Sequence, residues 1–281
     1  MNSRYALLLV ALAPATSLAF GDGCKFTADR TGGVDAKGVE KVILRAGAGD
    51  LKMLGRANAV RIEARGVACA SNEDLLAQAQ LSVRREGNVV YVETSLPQDN
   101  DGGWTWGNNQ YAYIDLGVAL PSSIPVEAID SSGDSGFEDL ASLTLQDSSG
   151  DIEIHRVAGL VDIGDSSGDI ELRDAGSLRV RDSSGDMELE DVKGDVEVSL
   201  DSSGDIEMAQ VGGNVRVRQD SSGGIRIEDV RGSVDVDSDS SGDIYAARVT
   251  GNFTVSEDSS GSIEHNSVGG RVTIPANKQD D

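Results

Sequence analysis

The chain has 281 residues, of which 48 are acidic and 24 are basic, so its formal net charge is −24. This charge argues against a nucleic-acid partner, because binding phosphates requires a basic surface. Hydrophobic residues make up 38% and aromatic residues 4% of the chain. We therefore expect a folded core built from Val, Ile and Leu, which favour strands.

Residues 1–19 have the pattern of a secretory signal peptide. Arg4 precedes a short apolar run, and small residues follow, so we predict cleavage between Ala19 and Phe20. The apolar run is shorter than the ~20 residues that a membrane-spanning helix needs. We expect a periplasmic or secreted protein with no membrane span in its mature chain. Residues 21–23 do not resemble a lipoprotein site, so lipid anchoring is not expected.

The chain contains two cysteines, Cys24 and Cys69. In an oxidising compartment an isolated pair is most simply one disulfide, with two free thiols as the alternative.

The first half of the chain predicts several separate elements. Residues 46–53, Ala-Gly-Ala-Gly-Asp-Leu-Lys-Met, are similar to a repeat unit found later in the chain, and residues 60–62 would supply the second strand of this degenerate unit. Ser71, followed by Asp74 and the run over residues 75–80, predicts a short helix capped by Ser71, placed so that Cys69 could join it to the N-terminal segment. Residues 81–92 predict a hairpin around Glu-Gly-Asn, and a strand is expected over residues 111–120.

An aromatic cluster stands at the polar, glycine-rich loop over residues 98–109. It consists of Trp104, Trp106, Tyr111 and Tyr113 and includes both tryptophans of the chain. One interpretation is an aromatic lid over the end of the core. The other is a stacking platform for a sugar or a protein partner, and burial of both indoles would exclude it.

The second half of the chain is a repeat. The tetrapeptide Asp-Ser-Ser-Gly occurs eight times, at intervals of 17–19 residues. The copies begin at Asp130, Asp147, Asp165, Asp182, Asp201, Asp220, Asp239 and Asp258. This regularity predicts a stacked array of one supersecondary unit.

Within each unit, two short apolar runs alternate with polar residues. In the unit that begins at Asp201, Ile206 and Met208 form the first run, and Val215 and Val217 form the second. A period of two residues predicts one-sided strands. A recurring Val-x-Gly separates the runs, and its glycine predicts a corner with positive φ.

A unit of this length cannot close its own core, so we predict an all-β parallel β-solenoid (β-helix) of about eight to nine short rungs. The alternative, an antiparallel sandwich, gives no reason for the same corner to recur after every second strand. The expected organisation is a signal peptide at 1–19, an N-terminal β-rich cap with a first degenerate rung at 20–129, solenoid repeats at 130–274 and a polar tail at 275–281.

The middle positions of the predicted strands differ in charge. In the second strands, signs alternate from rung to rung, which favours parallel, in-register stacking. These residues are Asp162, Arg179, Glu197, Arg216 and Asp235. In the first strands the same position is acidic over four rungs before it becomes basic. These residues are Glu153, Glu171, Glu188, Glu207 and Arg226.

Residues 130–264 hold 32 acidic and 10 basic residues, which is nearly the whole charge imbalance. Two aspartate positions recur at the corner, one leading the tetrapeptide and one following its glycine. The candidate ladder comprises Asp147, Asp165, Asp182, Asp201, Asp220 and Asp239 in the first position and Asp151, Asp169, Asp186 and Asp205 in the second. These carboxylates either accept hydrogen bonds from their own corners or collect Ca²⁺, which takes six to eight oxygen ligands. We assign no metal ligands, and Ca²⁺ is the only cofactor considered.

No catalytic pattern is present in the sequence. The two histidines, His155 and His265, are predicted to lie six units apart, too far to share a metal or a triad. His265 occupies the position of Ile154 in an earlier unit, which indicates a degenerate last rung. Paired carboxylates repeat in every unit without a unique pair, so we expect no enzyme activity.

The Ser-Gly-Asp-Ile-Glu-Ile and Val-x-Gly-x-Val-x-Val alternation, after an Ala-Gly-Ala-Gly-Asp opening, resembles the bacterial exported proteins grouped as putative adhesins of unknown function. The resemblance covers roughly residues 40–274 and implies a β-solenoid behind a signal peptide, with no catalytic residues to transfer. The leading hypothesis is a non-enzymatic adhesion or interaction module of the cell envelope, with an envelope protein or glycan as partner. The alternatives are a Ca²⁺-dependent acidic scaffold and a polysaccharide-active enzyme.

Overall fold

A computed structural model describes residues 24–97 and 110–278. The predicted cleavage site at Ala19 and Phe20, together with Trp104 and Trp106, lies outside these ranges. The strands are β1 Phe26–Asp35, β2 Lys41–Arg45, β3 Leu51–Arg56, β4 Arg61–Ala70, β5 Gln80–Glu86, β6 Val89–Ser95, β7 Ala112–Pro121, β8 Val126–Ile129, β9 Ser135–Glu138, β10 Leu143–Gln146, β11 Ile152–Gly164, β12 Ile170–Arg181, β13 Met187–Val192, β14 Val196–Leu200, β15 Ile206–Val211, β16 Val215–Val217, β17 Ile225–Val230, β18 Val234–Asp239, β19 Ile244–Val249, β20 Phe253–Asp258, β21 Ile263–Val268 and β22 Val272–Thr273. Helix α1 spans Glu73–Gln78, and a 3-10 turn spans Ala276–Lys278.

Parallel strands form two stacks, which confirms the β-solenoid. The stack that follows the Asp-Ser-Ser-Gly corners runs in space as β7, β3, β9, β11, β12, β13, β15, β17, β19 and β21. The stack that precedes these corners runs as β6, β2, β8, β10, β11, β12, β14, β16, β18, β20 and β22. Strands β11 and β12 continue through a corner and belong to both stacks. Parallel pairing between successive units rules out the antiparallel sandwich.

Register between rungs follows the repeat. Ile206 lies opposite Ile225, and Met208 lies opposite Ile227. Because successive side chains point to opposite faces of a strand, this pairing sends the same apolar positions inward in every rung. The inward columns are almost completely buried, as Val211, Val215 and Val217 are in one rung. One continuous aliphatic core therefore runs along the solenoid.

The corner after the first strand differs from the sequence prediction. Positive φ lies on the residue before the inward Leu, Val or Ala, at 54–62°. These residues are Asp139, Arg156, Asp174, Asp191, Gln210, Asp229, Arg248 and Ser267. The prediction of positive φ at the Val-x-Gly glycine is wrong. That glycine serves close approach instead, because a Cβ on Gly232 would lie 2.4 Å from the carbonyl oxygen of Gly213 in the preceding rung.

The degenerate first rung is present, but its second strand was wrongly assigned. Gly49 N–H donates to Ser132 O at 3.0 Å, and Leu51 N–H donates to Asp134 O at 2.9 Å, as in later rungs. Residues 61–62, however, belong to β4, which pairs antiparallel with β1 and β7, and Val60 is 73% exposed. The position beside β8 is already filled by β2, which precedes the corner in the chain.

Antiparallel strands cap the N-terminal end of the solenoid. Strand β5 pairs with β6 through the predicted hairpin, and β4 pairs with β7. The predicted helix is α1, but its cap is Asn72 and not Ser71, because Asn72 Oδ1 accepts from Leu75 N–H at 2.9 Å. Partly buried Val34 and Val83 pack against the core from the cap, which limits the exposure of an open solenoid end.

Cys24 and Cys69 form a disulfide, which confirms the predicted pairing. It joins the start of the described chain to β4, next to α1, as the sequence suggested. Within residues 24–97 and 110–278, no helix is long and apolar enough to cross a membrane.

Candidate functional site

Each Asp-Ser-Ser-Gly-Asp corner lies directly above the next, so its side chains form columns along the solenoid. The aspartate after the glycine forms an outer aspartate column. In successive rungs its members are Asp115, Asp50, Asp134, Asp151, Asp169, Asp186, Asp205 and Asp243, with Gly224 replacing one aspartate. Asp115 was missed because its rung has no Ser-Gly before the aspartate. The Asp-Leu pair at Asp115-Leu116, which matches Asp50-Leu51, is the signal that could have identified it.

The carboxylates of the outer aspartate column join neighbouring rungs, because each bonded carboxylate accepts a hydrogen bond from a backbone N–H of the next rung. Asp186 Oδ1 accepts from Asp205 N–H at 2.8 Å, and Asp169 Oδ1 accepts from Asp186 N–H at 2.9 Å. The same bond recurs along the column at 2.7–3.3 Å. The carboxylate thus satisfies a backbone donor of the next rung, whereas the hydrogen-bonding interpretation placed the donors in the aspartate's own corner.

Ser hydroxyl groups add a second bond between rungs. Ser222 Oγ donates to Ser202 O at 3.1 Å, and Ser241 Oγ donates to Ser221 O at 3.2 Å. Longer versions of this contact join the earlier rungs. The second serine of the motif therefore has a structural role, which explains why it repeats with the aspartate.

The leading aspartate of each tetrapeptide forms an inner aspartate column. Its members are Asp130, Asp147, Asp165, Asp182, Asp201, Asp220, Asp239 and Asp258, and all are at most 6% exposed. Asp182 Oδ1 accepts from Ser183 N–H at 2.6 Å, so one oxygen of this carboxyl is satisfied within its own corner. Asp182 Oδ2 and Asp201 Oδ2 have no hydrogen-bond partner within the described part of the chain. The two columns that appear equivalent in sequence therefore differ sharply in environment.

Burial changes the titration of the inner aspartate column. Desolvation is the main cause that raises the pKa of Asp220 to about 7 and that of Asp201 to about 6, and neighbouring aspartates of the column raise both further. Desolvation likewise raises the pKa of Asp130 to about 7. Backbone N–H groups of the corner serines oppose these shifts without cancelling them.

Among the described residues, no group of three or more His, Cys, Asp or Glu side chains is arranged to hold a metal ion. In the outer aspartate column, one oxygen of each bonded carboxylate already accepts a backbone N–H. Calcium binding by either column stays a prediction.

The exposed face of the stack that follows the Asp-Ser-Ser-Gly corners, formed by the first strand of each unit, carries an acidic patch. It lines a shallow surface depression and consists of Asp151, Glu153, Asp169, Glu171, Asp186, Glu188, Asp205 and Glu207. The glutamates are in register, since Glu171 pairs with Glu153 on one side and Glu188 on the other. This arrangement confirms the acidic column predicted from sequence.

Few cations balance the acidic patch. Arg173 Nη2 lies 2.8 Å from Glu188 Oε1, and Arg173 Nε lies 3.1 Å from Glu171 Oε1. His155 Nε2 lies 2.8 Å from Glu153 Oε1. These contacts involve three of the eight carboxylates. The patch is therefore a strongly negative surface that attracts cationic groups.

The second-strand face is balanced, as predicted. Arg179 lies between Asp162 and Glu197, and Arg216 lies opposite Glu197 and Asp235. The ion pairs themselves are diagonal: Arg216 Nη2 lies 2.7 Å from Asp237 Oδ2. The register was therefore predictable from the alternating signs, whereas the individual partners were not.

The remaining predicted residues are spread along the chain. His265 pairs with Ala246 in the inward column of the last described first strand, as expected for a degenerate rung, and His155 lies beside the acidic patch. Tyr111 and Tyr113 are half-buried, and their ring centroids are 6.3 Å apart beside the cap. Whether the aromatic cluster is a lid or a platform stays open, because both tryptophans lie outside the described residues.

Removing one bond of the outer aspartate column should cost little. Asp186→Ala leaves Asp205 N–H without its acceptor, and we expect a loss of about 1 kcal/mol in the free energy of unfolding, measured by urea denaturation. The matched control is Asp186→Asn, which retains an oxygen acceptor and should lose less. Equal losses in the two variants would contradict the hydrogen-bonding role.

The fold and its corners define an all-β parallel solenoid with aspartate columns.

No protein-family model and no curated protein matches the chain. Among solved structures, it is similar to a putative adhesin from Bacteroides fragilis, with 15% identity, 89% of this chain and 98% of that chain covered, and a TM-score of 0.43. It is also similar to a putative lipid binding protein from Parabacteroides distasonis, with 15% identity, coverage of 88% and 96%, and a TM-score of 0.42.

A putative cell adhesion protein from Clostridium sporogenes is a further similar structure, with 14% identity, coverage of 89% and 100%, and a TM-score of 0.28. Two of these three structures are described as adhesion proteins.

Proposed function

We propose that this protein is a non-enzymatic, exported β-solenoid, periplasmic or secreted, that acts as an adhesion or interaction module of the cell envelope. The observation that carries the proposal is the acidic patch, which repeats the same carboxylates over successive rungs. A repeated strand face offers many equivalent weak contacts and no unique reaction centre. This arrangement suits binding better than catalysis.

The charge of the patch specifies the chemistry of the partner. Carboxylates such as Glu171 and Glu188 stack at about 4.8 Å, the spacing of neighbouring strands. Their mutual repulsion is relieved when cationic groups of a partner approach. The expected partner is therefore an envelope protein or glycan that presents amino or guanidinium groups along an extended surface.

A matched pair of triple variants tests this proposal. The patch variant carries Glu171→Gln, Glu188→Gln and Glu207→Gln. The control carries Asp162→Asn, Glu197→Gln and Asp235→Asn on the balanced second-strand face, so both change the net charge equally. Binding is measured on an array of envelope glycans and on an oligolysine peptide as a minimal cationic probe, with and without Ca²⁺.

We expect the patch variant to bind about tenfold more weakly than the control, because three exposed charge contacts together contribute about 1.4 kcal/mol. Added salt should weaken binding of the unmodified protein. Equal binding by the two variants, or no retention of any probe or glycan under either Ca²⁺ condition, would contradict the proposal. Binding that requires Ca²⁺ would favour the calcium-dependent scaffold instead.

A further inference from the structure

The inner aspartate column places buried carboxyl groups next to one another, and its interior members have no cationic partner among the residues that the structure describes. Asp182, Asp201 and Asp220 lie in successive rungs and are fully buried. Asp182 and Asp201 each leave Oδ2 without a hydrogen-bond partner, and Asp220 leaves both oxygens without one. An ionised carboxylate in such a place is strongly disfavoured unless another group pairs with it.

The groups that face the column are themselves acidic. Asp201 is flanked along the column by Asp182 and Asp220, and Asp186 of the outer aspartate column raises its pKa as well. Asp182 likewise faces Asp165 of the inner column and Asp169 of the outer column, and both raise its pKa. At the upper end, Asp130 faces Asp147 and Asp50.

Within the part of the chain that the structure describes, a cation reaches the column only at its C-terminal end, at Asp258. Lys278 Nζ lies 3.1 Å from Asp258 Oδ2 and donates to Gly261 O at 2.6 Å. The Asp258 side chain is fully buried there, and that of Lys278 is 11% exposed. The 3-10 turn thus supplies an ammonium group to the last carboxylate, whereas the interior members have no such partner among the described residues.

We propose that the interior of the inner aspartate column binds protons at neutral pH and forms a ladder of shared carboxyl protons. A proton on the orphaned oxygen of one aspartate can be donated to the carboxylate of the next rung. The same pair then changes from two repelling charges to an O–H···O hydrogen bond. No metal ion is required, and the column remains sealed from solvent.

The expected pH dependence follows from the direction of the shifts. Burial raises the pKa of Asp182, Asp201 and Asp239 to about 6 and that of Asp130 and Asp220 to about 7, above their ordinary value of 3.8. The folded state then holds protons that the unfolded state has lost. The stabilisation from these carboxyl groups is therefore complete only below their ordinary pKa of 3.8, and it is lost as the pH rises through 6 and 7.

A triple variant of the column provides the first test. Asp182→Asn, Asp201→Asn and Asp220→Asn replace three acids with neutral side chains that can donate an N–H as a protonated carboxyl does. Each titrating aspartate contributes up to about a tenfold change of the unfolding constant per pH unit. We expect the constant of the unmodified protein to rise at least about tenfold from pH 5 to pH 8, and to rise much less in the variant.

The matched control carries Asp169→Asn, Asp186→Asn and Asp205→Asn in the outer aspartate column, with the same change of net charge. It should retain most of the pH dependence of the unmodified protein between pH 5 and pH 8, because desolvation is the main cause of the raised pKa values and the charges of Asp169 and Asp186 contribute least to them. An equal pH dependence in the inner-column variant and the unmodified protein would overturn the proposal. So would an unmodified protein whose stability does not change over this range.

Infrared spectroscopy of the unmodified protein tests the proposal without any variant. At pH 7 the folded protein should show the carbonyl stretch of protonated carboxylic acids, and the same protein unfolded in urea should not. Absence of this band from the folded protein would overturn the proposal. Stabilisation at pH 6 by NaCl, KCl or CaCl₂ beyond that by choline chloride of equal ionic strength would assign the orphaned oxygens to metal cations and would also overturn it.

Discussion

Gly185→Ala is expected to destabilise the middle of the solenoid by about 3 kcal/mol or more. Gly185 has a φ of 141°, and a Cβ at this position would lie 1.8 Å from the carbonyl oxygen of Gly168 in the preceding rung. The substitution therefore combines an unfavourable backbone conformation with a clash against backbone that is itself hydrogen-bonded between rungs. Urea denaturation followed by circular dichroism measures the loss.

The matched control is Gly136→Ala on strand β9. A Cβ at Gly136 would have its nearest neighbours at 3.9 Å, an ordinary contact, and its φ is not in the left-handed region. We expect a change within about 1 kcal/mol, and stabilisation is allowed because alanine restricts the unfolded chain. Similar losses in the two variants would show that the stacking of successive rungs does not require glycine at the Ser-Gly corner.

Replacing both cysteines, with Cys24→Ala and Cys69→Ala, is expected to lower the free energy of unfolding of the cap by about 4 kcal/mol. The estimate is the loop-closure entropy of a crosslink between residues 45 apart in sequence. Thermal unfolding should show the same loss when the unmodified protein is treated with a reductant. The double variant should not respond to reductant.

The position of the disulfide also predicts where the effect appears. Amide hydrogen exchange should become faster in β1 and β4, which the crosslink ties together, and should change little in β17 to β20. An unchanged melting temperature of the double variant, or a uniform increase of exchange along the solenoid, would contradict a local role in the cap.

Much of the architecture was predictable because the repeat expresses local rules. Alternating apolar residues such as Ile206 and Met208 define strand faces, and the constant interval between corners forces successive strands into parallel register. The charge alternation at Arg179, Glu197 and Arg216 predicted that register, and the structure confirms it. The acidic glutamate column was predictable for the same reason.

The errors arose where a choice depended on several strands at once. Residues 61–62 were assigned to the first rung, but β2 occupies that place and β4 lies antiparallel on β7. The Val-x-Gly glycine was expected to provide positive φ, whereas the preceding αL residue provides it, and the glycine makes room for the neighbouring rung. Neither outcome can be read from one unit in isolation.

The sequence by itself determined the strand period, the unit length, the register and the concentration of negative charge in the repeats. These properties depend on side-chain alternation and spacing along one chain. Only the tertiary structure decided that Asp201 is buried while Asp205 is exposed and bonded to the next rung. The physical reason is that the direction of a corner side chain depends on the backbone torsions of the turn and on the rung stacked against it, and the residue type specifies neither.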